Sequence, residues 1–322
     1  MKKILRIILI VVTISFLAFL FLLPKPNQTT ANQPTILASS YIGYDFARTL
    51  TTNTQTQLEL LVTPGTDLHS YEPTPQDIIK IKNSTIFIYN GGESENWLNR
   101  ILQEIDANQT TIIRMMDAVE LTTENDTQIL ENTTSTDSES ATEYDEHIWT
   151  SPQNAIKILQ QIEQALSTKL PQYQTNYRIN LDRAISELNQ LDADFRTLAK
   201  STDNTIFVAD RFPFRYFVDE YGFNYLAIFP GCSEQTEASA QTIATFVDAV
   251  NHSQNKTIFH IELSNQTIAQ TIADATGAEI LELHSMHNIS QDDFIAGKTY
   301  LDFMRNNYQN LKKALNATSQ SH

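Results

Sequence analysis

Between residues 35 and 315 the chain alternates short β-rich apolar runs with longer stretches of helical spacing, and it does so twice. Strand signals at 35–40, 58–62, 85–89 and 110–114 are separated by helical patterns at 44–50, 74–83 and 97–107. A second series places strands at 205–209, 224–228, 257–261 and 279–283, with helices at 214–221, 239–251, 265–276 and 299–315. Consecutive parallel strands need long crossovers, usually helices, and those helices cover both faces of the sheet. The helix starts carry their own punctuation: Thr74 is an N-cap ahead of Pro75, and Ser151 precedes Pro152 at the head of a helix reaching about residue 168. Between the two series, residues 173–200 place Ile179, Leu181, Ile185, Leu188, Leu191 and Phe195 at three- and four-residue spacing. A helix of about 28 residues spans roughly 42 Å, longer than one small domain, and can bridge two. The expected fold is α/β, with two lobes that each hold a mostly parallel sheet flanked by helices, joined by one long rigid helix. The lobes are expected over 36–170 and 202–316, with the linking helix over 171–201.

The N-terminal segment reads as an export signal. Lys2, Lys3 and Arg6 precede an uncharged apolar run from Ile7 to Leu23, which reads as a signal or anchor segment over 1–23. Basic residues stay on the cytoplasmic side, so the chain after Pro24 is expected outside the membrane. No cysteine follows the apolar run, which rules out a lipobox, and with only a weak small-x-small signal an uncleaved anchor is favoured over cleavage. Residues 24–35 read as a polar tether. The net charge of −16 argues against nucleic acid and suits a cationic cargo.

Seven histidines occur, and three segments place them beside turn residues at the ends of strand-like runs, where open α/β sheets bind ligands. His69 follows the Pro64-Gly65 turn, His147 sits in YDEHIWTSP, and His284 and His287 lie in LHSMHNIS. That is the layout of a metal site built from distant loops. Cys232 is the single cysteine, so no internal disulfide and no thiolate-rich site can form, and nitrogen and oxygen must hold any ion. His260, inside TIFHI, reads as a buried strand histidine, Glu262 as structural, and His252 and His322 as exposed. Residues 117–146 are rich in Asp and Glu among Thr, Ser and Asn and lack Lys and Arg; they read as an acidic loop.

The motifs TPGTDLHSYEPTPQDIIKIKNSTIFIYNGG, YDEHIWTSPQNAIKI, ADRFPFRYFVDEYG and FPGCSEQTEAS resemble the metal-binding solute receptors of ABC importers, the zinc and manganese family also called adhesion lipoproteins. The resemblance implies two similar lobes and one divalent transition metal held between them. Residue by residue it implies His69 and His147 as the first two ligands. The third falls at Arg211, whose guanidinium has no lone pair to give, so neighbouring Asp210 is the candidate there. The fourth aligns with His284, with His287 three residues on as the alternative. Glu72, Asp145 and Glu146 are candidates to orient the rings. A donor set of histidines with one carboxylate puts Zn²⁺ first and Mn²⁺ second.

A receptor of this kind is expected on the outer face of the cytoplasmic membrane and is not an enzyme. Its partners would be a divalent metal ion, an ABC permease and an ATPase, since the chain has no phosphate-binding loop of its own. Imidazoles must be neutral to bind, so capture should weaken as pH falls through the histidine range. Two alternatives come from other classes. An exported zinc-dependent hydrolase would use three ligands and an open position, although no H-E-x-x-H motif is present. A surface adhesion module would use the acidic loop and bind without metal.

Overall fold

The computed structural model describes residues 33–66, 68–123, 130, 144–200, 204–231 and 237–316. The signal or anchor segment, nearly all of the tether, most of the acidic loop and Cys232 lie outside the described residues. No helix of the described residues is long and apolar enough to cross a membrane.

The first sheet contains β1 (Thr35–Ala38), β2 (Gln57–Leu60), β3 (Ile86–Tyr89) and β4 (Thr111–Arg114), all parallel in the order β2-β1-β3-β4. The second repeats that arrangement with β5 (Thr205–Phe212), β6 (Asn224–Pro230), β7 (Thr257–His260) and β8 (Glu279–Glu282), in the order β6-β5-β7-β8. Inner strands are apolar on both faces because helices cover both: Ile86, Phe87 and Ile88 of β3 are fully buried. The edge strand β2, with polar Gln57 and Glu59, keeps partial exposure.

Helices α1 (Tyr41–Thr51), α2 (Pro75–Asn83) and α3 (Leu98–Leu102) accompany the first sheet. A reciprocal cap starts α2, in which Asp77 N–H donates to Thr74 Oγ1 and Thr74 N–H donates to Asp77 Oδ2. After the first sheet come α4 (Pro152–Lys169), capped by Ser151, and α5 (Gln174–Leu198). The second sheet is accompanied by α6 (Arg215–Tyr221), α7 (Ala240–His252), α8 (Thr267–Thr276), α9 (Gln291–Ile295) and α10 (Tyr300–Asn316). Helix α9 was not legible in the sequence: five residues are too few to show a helical period.

At 25 residues α5 is about 38 Å long. Its buried stripe, Tyr177, Leu181, Ala184, Leu188, Leu191, Phe195 and Leu198, packs on both lobes. Near its start Asn180 donates to the carbonyls of Leu50 and Thr52 at the end of α1. Near its end Phe195 meets Phe217 of α6 and Tyr308 of α10 edge-on. One apolar cluster therefore runs from Ile36 and Ile88 through α5 to Val208, Phe259 and Leu311.

Candidate metal centre

Every piece of the site comes from a segment that follows the carboxyl end of a strand, where side chains can leave the sheet without breaking its ladder. The turn after β2 passes through Pro64 and Gly65, the latter at φ +85°, and delivers His69. The segment after β3 supplies Gly92, Ser94 and Glu95, and the return from the acidic loop supplies Asp145, Glu146 and His147 just before α4. From the second sheet come Arg211 at the end of β5, Gly231 after β6, Glu262 after β7 and the 284–288 segment after β8.

His69, Glu146 and His287 each bring one ligand-type atom into a group in which all lie within 4.8 Å of one another. His69 Nε2 stands 3.7 Å from Glu146 Oε1, and the His69 and His287 rings stack at 5.1 Å. His147 joins through Nε2, which is 2.9 Å from His287 Nδ1. The proton positions follow from the partners. Asp145 Oδ1 is 3.0 Å from His147 Nδ1 and also accepts the His147 backbone N–H, which assigns the ring proton to Nδ1 and leaves the Nε2 lone pair facing His287. His287 then donates from Nδ1, and its Nε2 is buried without a hydrogen-bond partner. Burial first, then repulsion from the neighbouring imidazoles of His147 and His69 when they are protonated and from Arg211, holds the His287 imidazole well below its usual pKa, so it stays neutral and able to coordinate.

The carboxylates behind the rings are fixed as firmly. Glu146 Oε2 accepts from Ser94 Oγ at 2.8 Å, which turns Oε1 toward His69. Gly92 sits at φ +121°, and a Cβ there would stand 2.4 Å from Glu146 Oε2, so only glycine fits. Glu95, buried behind this pair, accepts from Ser39 Oγ and from Gly91 N–H at 2.7 Å. Burial, opposed by those bonds and reinforced by the Glu146 charge, pushes its carboxyl up to about 7.

Two residues expected at the metal lie elsewhere. His284 is turned into the second lobe: its ring stacks on Phe303 of α10 at 3.8 Å and its Nδ1 accepts from Met286 N–H at 3.0 Å. Asn307 holds its backbone from both sides. Met286, at φ +60°, turns the chain between the two histidines, and His287 is the one that reaches the cluster. Asp210 Oδ1 accepts from Arg211 N–H, and Asp210 is not part of the cluster; Arg211 instead lines, with His147 and His287, a cleft of about 220 Å³. Glu72 is exposed. His260 is a buried strand histidine, its Nδ1 2.8 Å from the Ile261 carbonyl. Sequence reasoning put Glu146 behind the rings, whereas its Oε1 stands among them; the only available signal was its place next to His147 in YDEHIW.

Two parallel lobes, a long joining helix and a cluster of imidazole and carboxylate groups contributed by both lobes define a two-lobed solute-binding protein with a metal-type site. The chain belongs to the family described as zinc-uptake complex component A, periplasmic, which matches residues 36–314. It is 26% identical over 298 residues to the zinc-binding lipoprotein AdcA of Streptococcus pneumoniae R6, covering 92% of this chain and 59% of that protein. The chain thus spans about three fifths of that relative's length. The high-affinity zinc uptake system protein ZnuA of Bacillus subtilis is 26% identical over 280 residues, 87% of each chain. Among solved structures, the Zn(II)-bound ZnuA-like domain of S. pneumoniae AdcA superposes with a TM-score of 0.72 at 24% identity, covering 88% of this chain and 99% of that one. The laminin-binding adhesin Lmb of Streptococcus agalactiae has the same fold, with a TM-score of 0.72 at 24% identity over 87% of this chain and 98% of that one.

Proposed function

We propose that this chain is the extracytoplasmic receptor of an ABC importer for a divalent transition metal, zinc before manganese. It would take up the ion between the lobes and pass it to a permease driven by a separate ATPase. The observation that carries this reading is the convergence of His69, His147 and His287 with Glu146, because it gathers imidazole nitrogens and one carboxylate from both lobes. We take these four residues as the ligand set, in place of one that uses His284 and Asp210. Relatives named for zinc binding and zinc uptake support the choice of metal.

The lobes would span 36–170 and 202–316 on either side of the 171–201 linker. The apolar N-terminal segment, uncleaved or as a signal, would set the lobes outside the cytoplasmic membrane. A hydrolase is not favoured, because the family is described as an uptake component. Titration of the full chain in detergent with Zn²⁺ and Mn²⁺ tests the reading. One tightly bound zinc, lost in His287→Ala and kept in His284→Ala, is the expected result; absence of tight binding in the wild type would overturn it.

A further inference from the structure

We propose that Asn288 is a latch between the lobes, a positioning residue that governs how fast the bound ion leaves; the proposal rests on the receptor reading above. Its side-chain amide reaches across to the turn that precedes His69. Gly65 N–H donates to Asn288 Oδ1 at 3.1 Å, and Asn288 Nδ2 donates to the Thr66 carbonyl. One amide group thus uses its donor and its acceptor on two consecutive residues of the other lobe, a pairing that a small shift of either loop would break at both ends.

Both partners of the latch are stiff. On one side Thr66 N–H donates to the Thr63 carbonyl at 3.1 Å and the two hydroxyls meet at 2.9 Å, closing the turn on itself. On the other, Glu262 gathers the loop: its carboxylate accepts from Ser285 N–H and Oγ–H and from Asn288 N–H. Ser285 Oγ in turn accepts from His287 N–H at 3.1 Å, so the ring of His287 and the amide of Asn288 are carried by one rigid unit. Displacing Asn288 from Gly65 and Thr66 therefore moves His287 away from His69.

The opposite flank of the same loop is tied differently. Trp149 Nε1–H donates to the Ser285 carbonyl at 2.7 Å beside His147, and that indole is 2% exposed. Asn288 is only half-buried and Gly65 is exposed, so water can take over the latch bonds as the lobes part, whereas the buried indole bond has no such substitute. The geometry makes the His147 flank the fixed edge and the His69 flank the one that opens.

The test is stopped-flow release of zinc to a chelator from the full chain, for wild type, Asn288→Ala and Asn288→Asp. The Asp variant is nearly isosteric and keeps the acceptor for Gly65 while losing the donor to Thr66, so it guards against a folding defect. Release should accelerate on the order of tenfold in both, the worth of one or two neutral hydrogen bonds. The Co²⁺ absorption spectrum should match the wild type in both variants, because the ligands are untouched, whereas His287→Ala changes it. Release at the wild-type rate, or a Co²⁺ spectrum altered as in His287→Ala, would overturn the latch. A wild type that binds no zinc would instead overturn the receptor reading itself, so the two failures are distinguishable.

Discussion

Glu95 of the first lobe and Glu262 of the second occupy matching places, each buried in the segment after the third strand of its sheet, yet their carboxyls shift in opposite directions. Burial penalises the charged form of both. At Glu262 it is outweighed by His284 and by the bonds from Ser285, and the carboxyl is held below its usual range. Glu95 receives Ser39 and Gly91 but faces the negative Glu146, and it is pushed up to about 7. Depth in the protein therefore does not decide charge; the neighbours do. The asymmetry extends to the site. The first lobe brings His69, His147 and Glu146 with Asp145 and Ser94 braced behind them, while among the described residues the second brings His287, on a loop that Glu262 organises.

The comparison breaks first at the two histidines of the second lobe. His287→Ala should weaken zinc binding by more than the roughly 100-fold that losing an orienting partner can cost. His284→Ala should leave affinity near wild type and lower the melting temperature, since its ring packs on Phe303; isothermal titration with calorimetric melting separates the two. If His284→Ala loses the ion, the second lobe has been misread. Next, Asp145→Asn keeps the shape and removes the charge that orients His147, and zinc affinity should fall about tenfold or more.

Stability probes sharpen the carboxylate pair. Glu262→Gln leaves the donors of Ser285 and Asn288 without a charged acceptor and should cost about 2 kcal/mol in denaturant unfolding of the metal-free chain. Glu95 gives the smallest and most specific effect, read as a pH slope. Because its folded carboxyl titrates at about 7 against 4.5 unfolded, its contribution is fully present below 4.5 and is lost as pH rises through 7. The metal-free wild type should therefore lose stability across that window, by at most about 1.4 kcal/mol per pH unit, and Glu95→Gln should remove this loss. An unchanged slope in the variant would mean that Glu95 is already ionised in the fold.

Most of the fold was legible because the inner strands carry continuous apolar runs and most of the longer helices began with a cap or a proline. Ile86, Phe87 and Ile88 announce a buried strand, and Thr74-Pro75 and Ser151-Pro152 mark the two helix starts that the structure shows. The histidines of the first lobe were legible because turn residues and strand ends bracket them. Resolving His284 from His287 was beyond the sequence, since the choice depends on Met286 adopting φ +60°, a conformation that no residue pattern there announces. Asp210 stands outside the cluster for a plainer reason: Arg211, its neighbour, lines the cleft. Reading Glu146 as an acceptor behind the rings missed that Gly92 and Ser94, far away in sequence, crowd its other oxygen and turn the carboxylate outward.

The buried stripe of α5 has a consequence for how the molecule comes apart. Because one apolar cluster continues from the first sheet through this helix into the second, neither sheet can melt without stripping the cover from Leu188, Leu191 and Phe195. Two sheets of separate hydrogen-bonding ladders are thereby joined into one cooperative unit, and heating the protein should give a single calorimetric transition whose van't Hoff and calorimetric enthalpies agree.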